Sequence, residues 1–166
     1  MKISIIIPTF NRINSLLTVL KKLENQDFLN LESWFNFEVI IINDGSTDWT
    51  EKLLWEYQKK NLYTWKKFDL KILNQKNSGQ SKARNNWVKN ANWDLIIFLQ
   101  DDIFPEKNFI SKHFNFHKKN PNKKNVVIWK TNWTQEVLNS KNKKFYEFLD
   151  WTWKDFSQKI FQFFFK

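Results

Sequence analysis

An α/β fold with a mostly parallel sheet sandwiched by helices is what this sequence predicts, on three observations. Short isoleucine- and leucine-rich runs alternate with segments whose apolar residues recur at helical spacing, the pattern of right-handed strand–helix–strand crossovers. The runs are almost unbroken in apolar character, as expected of strands covered on both faces. Polar clusters follow the runs at their carboxyl ends, where sheets of this kind hold their ligands.

The elements follow in order. Residues 2–7, rich in isoleucine and stopped by Pro8, read as a buried strand. Residues 13–23 set Ile13, Leu16, Leu17, Leu20 and Leu23 on one helical face. Residues 37–42 form a second apolar run that ends at the turn signal "NDGS". Residues 50–60 read as a helix with Leu53, Leu54 and Tyr57 on one side. Residues 70–73 give a third strand, 80–91 a helix and 95–99 a continuous buried strand. Residues 106–119 carry Phe109, Ile110, His113, Phe114 and His117 at helical spacing, and residues 126–128 suit a fifth strand. No internal repeat occurs. The pattern weakens after about residue 130, so the chain divides into a 1–130 ligand-binding domain and an incomplete 131–166 region. The aromatic ending "FQFFFK" predicts a chain cut short, with an exposed apolar segment as the consequence.

Composition narrows the function classes. With 166 residues, the chain suits one core rather than two. No run reaches the roughly 20 apolar residues that span a bilayer, and no signal-type leader precedes Pro8. Cysteine is absent, which fits a reducing compartment. The cytoplasm is the expected location, with peripheral association at the inner face of a membrane allowed by the aromatic tail. The net charge of +10 raises the question of nucleic acid, but lysines spread over every segment rather than along one stripe, which argues against it. Only Arg12 and Arg84 break the lysine bias, and both mark places where a planar, forked donor could matter.

Ten tryptophans stand beside two glycines, where a chain of this size carries about 12 glycines. Trp49 follows "GSTD" where a loop meets a helix, and Trp93 stands at a helix-to-strand junction suited to a left-handed residue. The expectation is that many of these positions, Trp49, Trp87 and Trp93 among them, are glycine in the natural protein, as when UGA is decoded as glycine. A truly tryptophan-rich protein is the alternative.

Three polar clusters carry the candidate chemistry: residues 8–12, 43–46 and 100–102. Asp101 and Asp102 follow a buried strand. Adjacent carboxylates repel unless a cation or donor neutralises them, and hard oxygen ligands suit Mg²⁺ or Mn²⁺ with substrate phosphates completing the shell. A solvated acidic turn is the plain alternative, and the pair alone does not exceed it. Asp44 could accept from a nucleobase or ribose, or form an Asx-type turn with Gly45. Phe10 could stack on a base or lie in the core. Arg84 could pair with a phosphate or sit on a helix surface. His113 and His117, four apart, lack a third ligand nearby and read as packing or surface residues.

Taken together, "ISIIIPTFNR", "VIIINDGSTD", "NSGQSKARNN" and "DLIIFLQDDIFP", in this order and spacing, resemble the family 2 glycosyltransferases of the GT-A fold over roughly residues 1–130. The resemblance implies a nucleotide-diphosphate sugar donor, a divalent metal and transfer with inversion. It places Pro8, Thr9, Phe10 and Arg12 in the first donor-site segment, Asp44 at the nucleoside and Arg84 in the third motif. It places Asp101 and Asp102 at the ribose and metal, with Asp102 as the metal ligand. The family's usual forms have glycine at 49, 87 and 93. Gln100 departs from the family's frequent aspartate and removes one charge. The catalytic base is expected beyond residue 166, so neither Glu147 nor Asp150 is assigned. The acceptor could be a glycan, a lipid-linked sugar or a protein, within polysaccharide or cell-envelope synthesis. The alternative is a nucleotide-sugar-binding module without its acceptor half.

Overall fold

The computed structural model describes residues 1–28, 35–62, 68–79 and 94–121, with 85, 88 and 127 as isolated positions. In chain order the elements are β1 (Ile3–Thr9), α1 (Ile13–Glu24), β2 (Phe37–Asn43), α2 (Thr50–Leu62), β3 (Asp69–Asn74), β4 (Leu95–Phe98) and α3 (Phe109–Lys119). Most of the helix expected over 80–91 and the strand expected over 126–128 lie outside the described residues; positions 85 and 88 are helical and 127 is not in a strand. Met1–Val126 forms one compact unit and Val127–Lys166 a second.

The four strands make one parallel sheet in the order β3-β2-β1-β4. β1 and β2 are buried along their whole length, which explains their unbroken isoleucine runs. Both faces of the sheet are covered. Ile3, Ile5, Ile7, Val39, Ile41 and Ile97 pack against Leu16, Leu20 and Leu23 of α1, Leu54 of α2 and Ile110 and Phe114 of α3. On the opposite face Ile6, Ile40 and Ile42 form a smaller cluster with Leu73 and Ile96. The amino end of β2 closes with aromatics: the Phe37 ring lies 5.2 Å from Phe68 and 5.9 Å from Phe28.

Most boundaries differ from the sequence reading by a residue or two, and two of the differences have a clear local reason. β1 runs through Pro8 to Thr9. Pro8 lacks an amide, but that position faces β4, whose pairing with β1 has ended at Ile6↔Phe98. The Leu99 amide still donates to the Ile6 carbonyl at 3.0 Å; the next donor on that side would be residue 8, and none exists. β1 and β4 therefore part at this point while β1 stays paired to β2. α3 begins at Phe109 rather than 106, because the Phe109 amide donates to the Glu106 carbonyl in a turn. Gln26 then joins α1 to α3: its Oε1 accepts from the Ile110 amide at 3.0 Å and its Nε2 donates to the Glu106 carbonyl at 2.8 Å. An orphan amide of the first helical turn is satisfied by a residue 84 positions away in sequence.

Candidate functional site

Strand order reverses at β1: the chain moves outward from β1 to β3, then returns to β4 on the other side. In open parallel sheets that switch point opens a crevice at the carboxyl ends of the strands. The loops after β1, β2, β3 and β4 meet there.

On the β4 side, Thr9 ends β1 and its Oγ1 donates to Asp101 Oδ2 at 2.8 Å. Arg12, which precedes α1, sends Nη1 to Asp102 Oδ2 at 2.6 Å and stands 3.6 Å from Asp101 Oδ1. The two carboxylates differ in environment. Asp101 is 5% exposed and Asp102 44%, while Arg12 is 54% exposed. Burial pushes the Asp101 carboxyl above the ordinary carboxylate range, against the pull of the Thr9 hydrogen bond and the Arg12 charge. Phe10 is 42% exposed at this rim, not in the core.

On the β2 side, Asp44 is buried and fully engaged by the loop after β3. Its Oδ1 accepts from Gln75 Nε2 at 2.7 Å and the Ser78 amide at 2.9 Å; its Oδ2 accepts from the Gly79 amide at 2.9 Å. Burial favours the neutral acid, but these hydrogen bonds outweigh it and hold the carboxyl below its usual value. The Asp44 amide itself donates to the Thr9 carbonyl at 2.9 Å, so the two sides of the rim touch through backbone. The chain's two glycines both serve this clamp with positive φ. At Gly45 an added Cβ would lie 2.8 Å from the Asn77 amide nitrogen, so the loop can close over it only with glycine there.

Asn11, which the sequence reading did not single out, binds the rim together. It holds φ of +54°, a conformation asparagine tolerates better than most residues. Its Oδ1 accepts from the Thr47 amide at 2.8 Å, and its own amide donates to Ser46 Oγ at 3.0 Å. Among described non-glycine residues only Asn11 has positive φ; Trp49 does not, and its carbonyl accepts the first α2 bond from Leu53. At position 49 the backbone therefore makes no demand for glycine. Trp87, Trp93 and Arg84 lie outside the described residues.

The structure thus brings Pro8, Thr9, Phe10, Arg12, Asp44, Asp101 and Asp102 to one end of the sheet. His113 is buried on α3 with its ring 4.8 Å from Phe109, and burial followed by the His117 charge lowers it to about 4. It is a packing residue. Among the described residues no group of three or more His, Cys, Asp or Glu side chains forms a ligand set, and no helix is long and apolar enough to cross a membrane. Two carboxylates still fit a Mg²⁺ or Mn²⁺ ion, because such ions keep waters and take further oxygens from substrate phosphates.

Comparison with known proteins agrees with this architecture. The chain matches the family model described as "Glycosyl transferase family 2" over residues 4–166. An uncharacterized glycosyltransferase of Rickettsia conorii is 36% identical over 132 residues, covering 72% of this chain and 20% of that protein. The poly(ribitol-phosphate) β-N-acetylglucosaminyltransferase TarS of Staphylococcus aureus is 32% identical over 109 residues, covering 64% of this chain and 17% of TarS. The crystal structure of S. aureus TarS residues 1–349 with UDP-GlcNAc aligns with a TM-score of 0.61 at 27% identity, covering 84% of this chain and 39% of that one. A mannosyltransferase of Pyrobaculum calidifontis, solved with GDP-Man and Mn²⁺, aligns with a TM-score of 0.58 at 17% identity over 69% of this chain and 32% of its own, and bears on the fold alone. The chain spans at most a fifth of the length of the Rickettsia and TarS proteins. On this match and this sheet, the chain has the GT-A fold and belongs to glycosyl transferase family 2.

Proposed function

We propose that this chain forms the donor-binding part of an inverting, metal-assisted glycosyltransferase that moves a sugar from a nucleoside-diphosphate sugar to an acceptor hydroxyl. The observation that carries the reading is the meeting of Thr9, Arg12, Asp101 and Asp102 where β1 and β4 part, beside Asp44. The UDP-GlcNAc held by TarS supports a nucleotide sugar as the ligand. Phe10 offers an exposed ring face for a base. Asp44 fixes the wall of residues 75–79 against which a nucleoside would lie. Arg12 supplies a forked cation for the diphosphate. Asp102, the exposed acid, and Asp101 behind it would hold Mg²⁺ or Mn²⁺, which when bound acts as a Lewis acid on the departing diphosphate.

Inversion needs a base that takes the acceptor proton as the hydroxyl attacks. No residue of this chain is assigned that role; Glu147 and Asp150 lie outside the described residues. The poly(ribitol-phosphate) in the name of TarS supports a polyol-phosphate polymer as acceptor class. The test is a thermal-shift series of nucleotide sugars with and without Mn²⁺. A ligand that binds the native state raises Tm, and the rise should need the metal and vanish in Asp102→Ala. A folded protein that responds to no nucleotide sugar with Mn²⁺ sinks the proposal.

A second reading is a nucleotide-sugar-binding module without catalysis, favoured by the Arg12 guanidinium that already neutralises the Asp101–Asp102 pair. It expects the same Tm rise with no sugar transferred to any acceptor and no donor hydrolysed in a single-turnover assay.

A further inference from the structure

We infer that Arg12 is an internal counter-cation that weakens metal binding at Asp101–Asp102 until a diphosphate arrives to take its place. The inference rests on the nucleotide-sugar reading and adds a specific role for one residue. Three features of the geometry lead to it. First, Nη1 of Arg12 lies 2.6 Å from Asp102 and 3.6 Å from Asp101, so one guanidinium neutralises both adjacent acids. A divalent cation that binds Asp102 draws on the same negative charge, and the two compete. Second, the backbone of Arg12 is anchored by α1, while its side chain is held by an exposed ion pair. Its carbonyl accepts from the Leu16 amide at 3.0 Å as α1 begins, yet the side chain is 54% exposed. The guanidinium can leave without disturbing the fold. Third, Asp101 is held by the Thr9 hydroxyl at 2.8 Å, a hydrogen bond in which Arg12 takes no part, so the buried acid has an anchor of its own.

The consequence is a change of sign. Toward a bare metal ion Arg12 is a competitor. Toward a metal–diphosphate it is a partner, because the phosphates offer the fork a bidentate acceptor that replaces the carboxylates. Arginine suits this exchange better than the lysine used almost everywhere else in the chain, because its planar fork meets carboxylate and phosphate in the same geometry. An exposed ion pair is weak, so the competition is modest, on the order of fivefold in metal affinity.

The experiment uses the 166-residue chain, with Mn²⁺ binding read by electron paramagnetic resonance and calorimetry and UDP as the diphosphate probe. Arg12→Gln should bind Mn²⁺ alone about fivefold more tightly than the unaltered chain and Mn²⁺–UDP about tenfold more weakly. Arg12→Lys keeps the charge, so its affinity for Mn²⁺ alone should stay close to the unaltered value. The inference is overturned if Arg12→Gln binds Mn²⁺ alone no more tightly, or if Arg12→Lys tightens it equally. Equal melting temperatures for the three proteins establish that folding is not the cause. The arm with Mn²⁺ alone involves no nucleotide. Failure of the unaltered chain to bind Mn²⁺–UDP would therefore count against the nucleotide-sugar reading separately.

Discussion

The two sides of the rim use acids in opposite ways. Asp44 is buried, takes three hydrogen bonds from the 75–79 segment and is held below its usual pKa. Asp102 is 44% exposed and rests on an exposed arginine. A buried carboxylate with fixed donors is part of the wall, since removing it strands those donors away from water. An exposed ion pair contributes about 0–1 kcal/mol and exchanges readily. The same residue type thus builds on one side of β1 and rests in an exchangeable ion pair on the other. Acidity in a sequence motif says little about role until the donors around it are known.

The contrast can be tested by removing one acid at a time. Asp44→Ala should cost about 3 kcal/mol, because the Ser78 and Gly79 amides and the Gln75 side chain lose a charged acceptor. The denaturation midpoint measures the loss, and amide exchange at Ser78 and Gly79 should quicken. Little change in either would mean the clamp is ornamental.

A pH series separates the acids from a third titrating group. His113 is lowered from 6.5 to about 4, so its stabilising contribution is complete above pH 6.5 and is lost as pH falls toward 4. The amplitude is on the order of 3 kcal/mol. Asp44 adds a further loss below pH 3.8, as the carboxylate that the loop holds takes up a proton. Asp101 works in the other direction: lowering the pH through its raised value relieves the cost of a buried charge. In His113→Leu the limb between 6.5 and 4 should vanish while the lower one remains. Persistence of the upper limb would assign it elsewhere.

Gly45→Ala tests the clamp from the backbone side. Positive φ and a Cβ 2.8 Å from the Asn77 nitrogen should together cost about 2 kcal/mol in urea denaturation. The smallest effect on stability belongs to Asp102→Ala, within about 0.5 kcal/mol by the same measurement. A cost matching that of Asp44→Ala would erase the distinction between the two sides.

Much of this arrangement was readable beforehand. The isoleucine runs marked β1 and β2 because strands buried on both faces have no room for alternation. The polar clusters after them marked the rim. What escaped were features set by cross-strand register. Glu38 is a lone acid in an apolar run, yet it is buried, accepting from Ser4 Oγ at 2.6 Å and pairing with Lys71 at 2.7 Å. Neither partner is near it in sequence. Gln75 escaped for the same reason, and Ser78, although inside the motif "NSGQSKARNN", was given no role, since both act through Asp44, more than 30 residues earlier. Asn11 did leave a local signal, an asparagine in the turn two residues before a helix, where it tolerates the left-handed conformation better than most residues.

Pro8 sets where the opening begins by what it lacks. Without a donor to offer, the spine of the sheet releases its neighbour at a fixed depth, whatever side chains happen to line the gap. Substitutions along those linings would leave the point at which the two strands separate where it is.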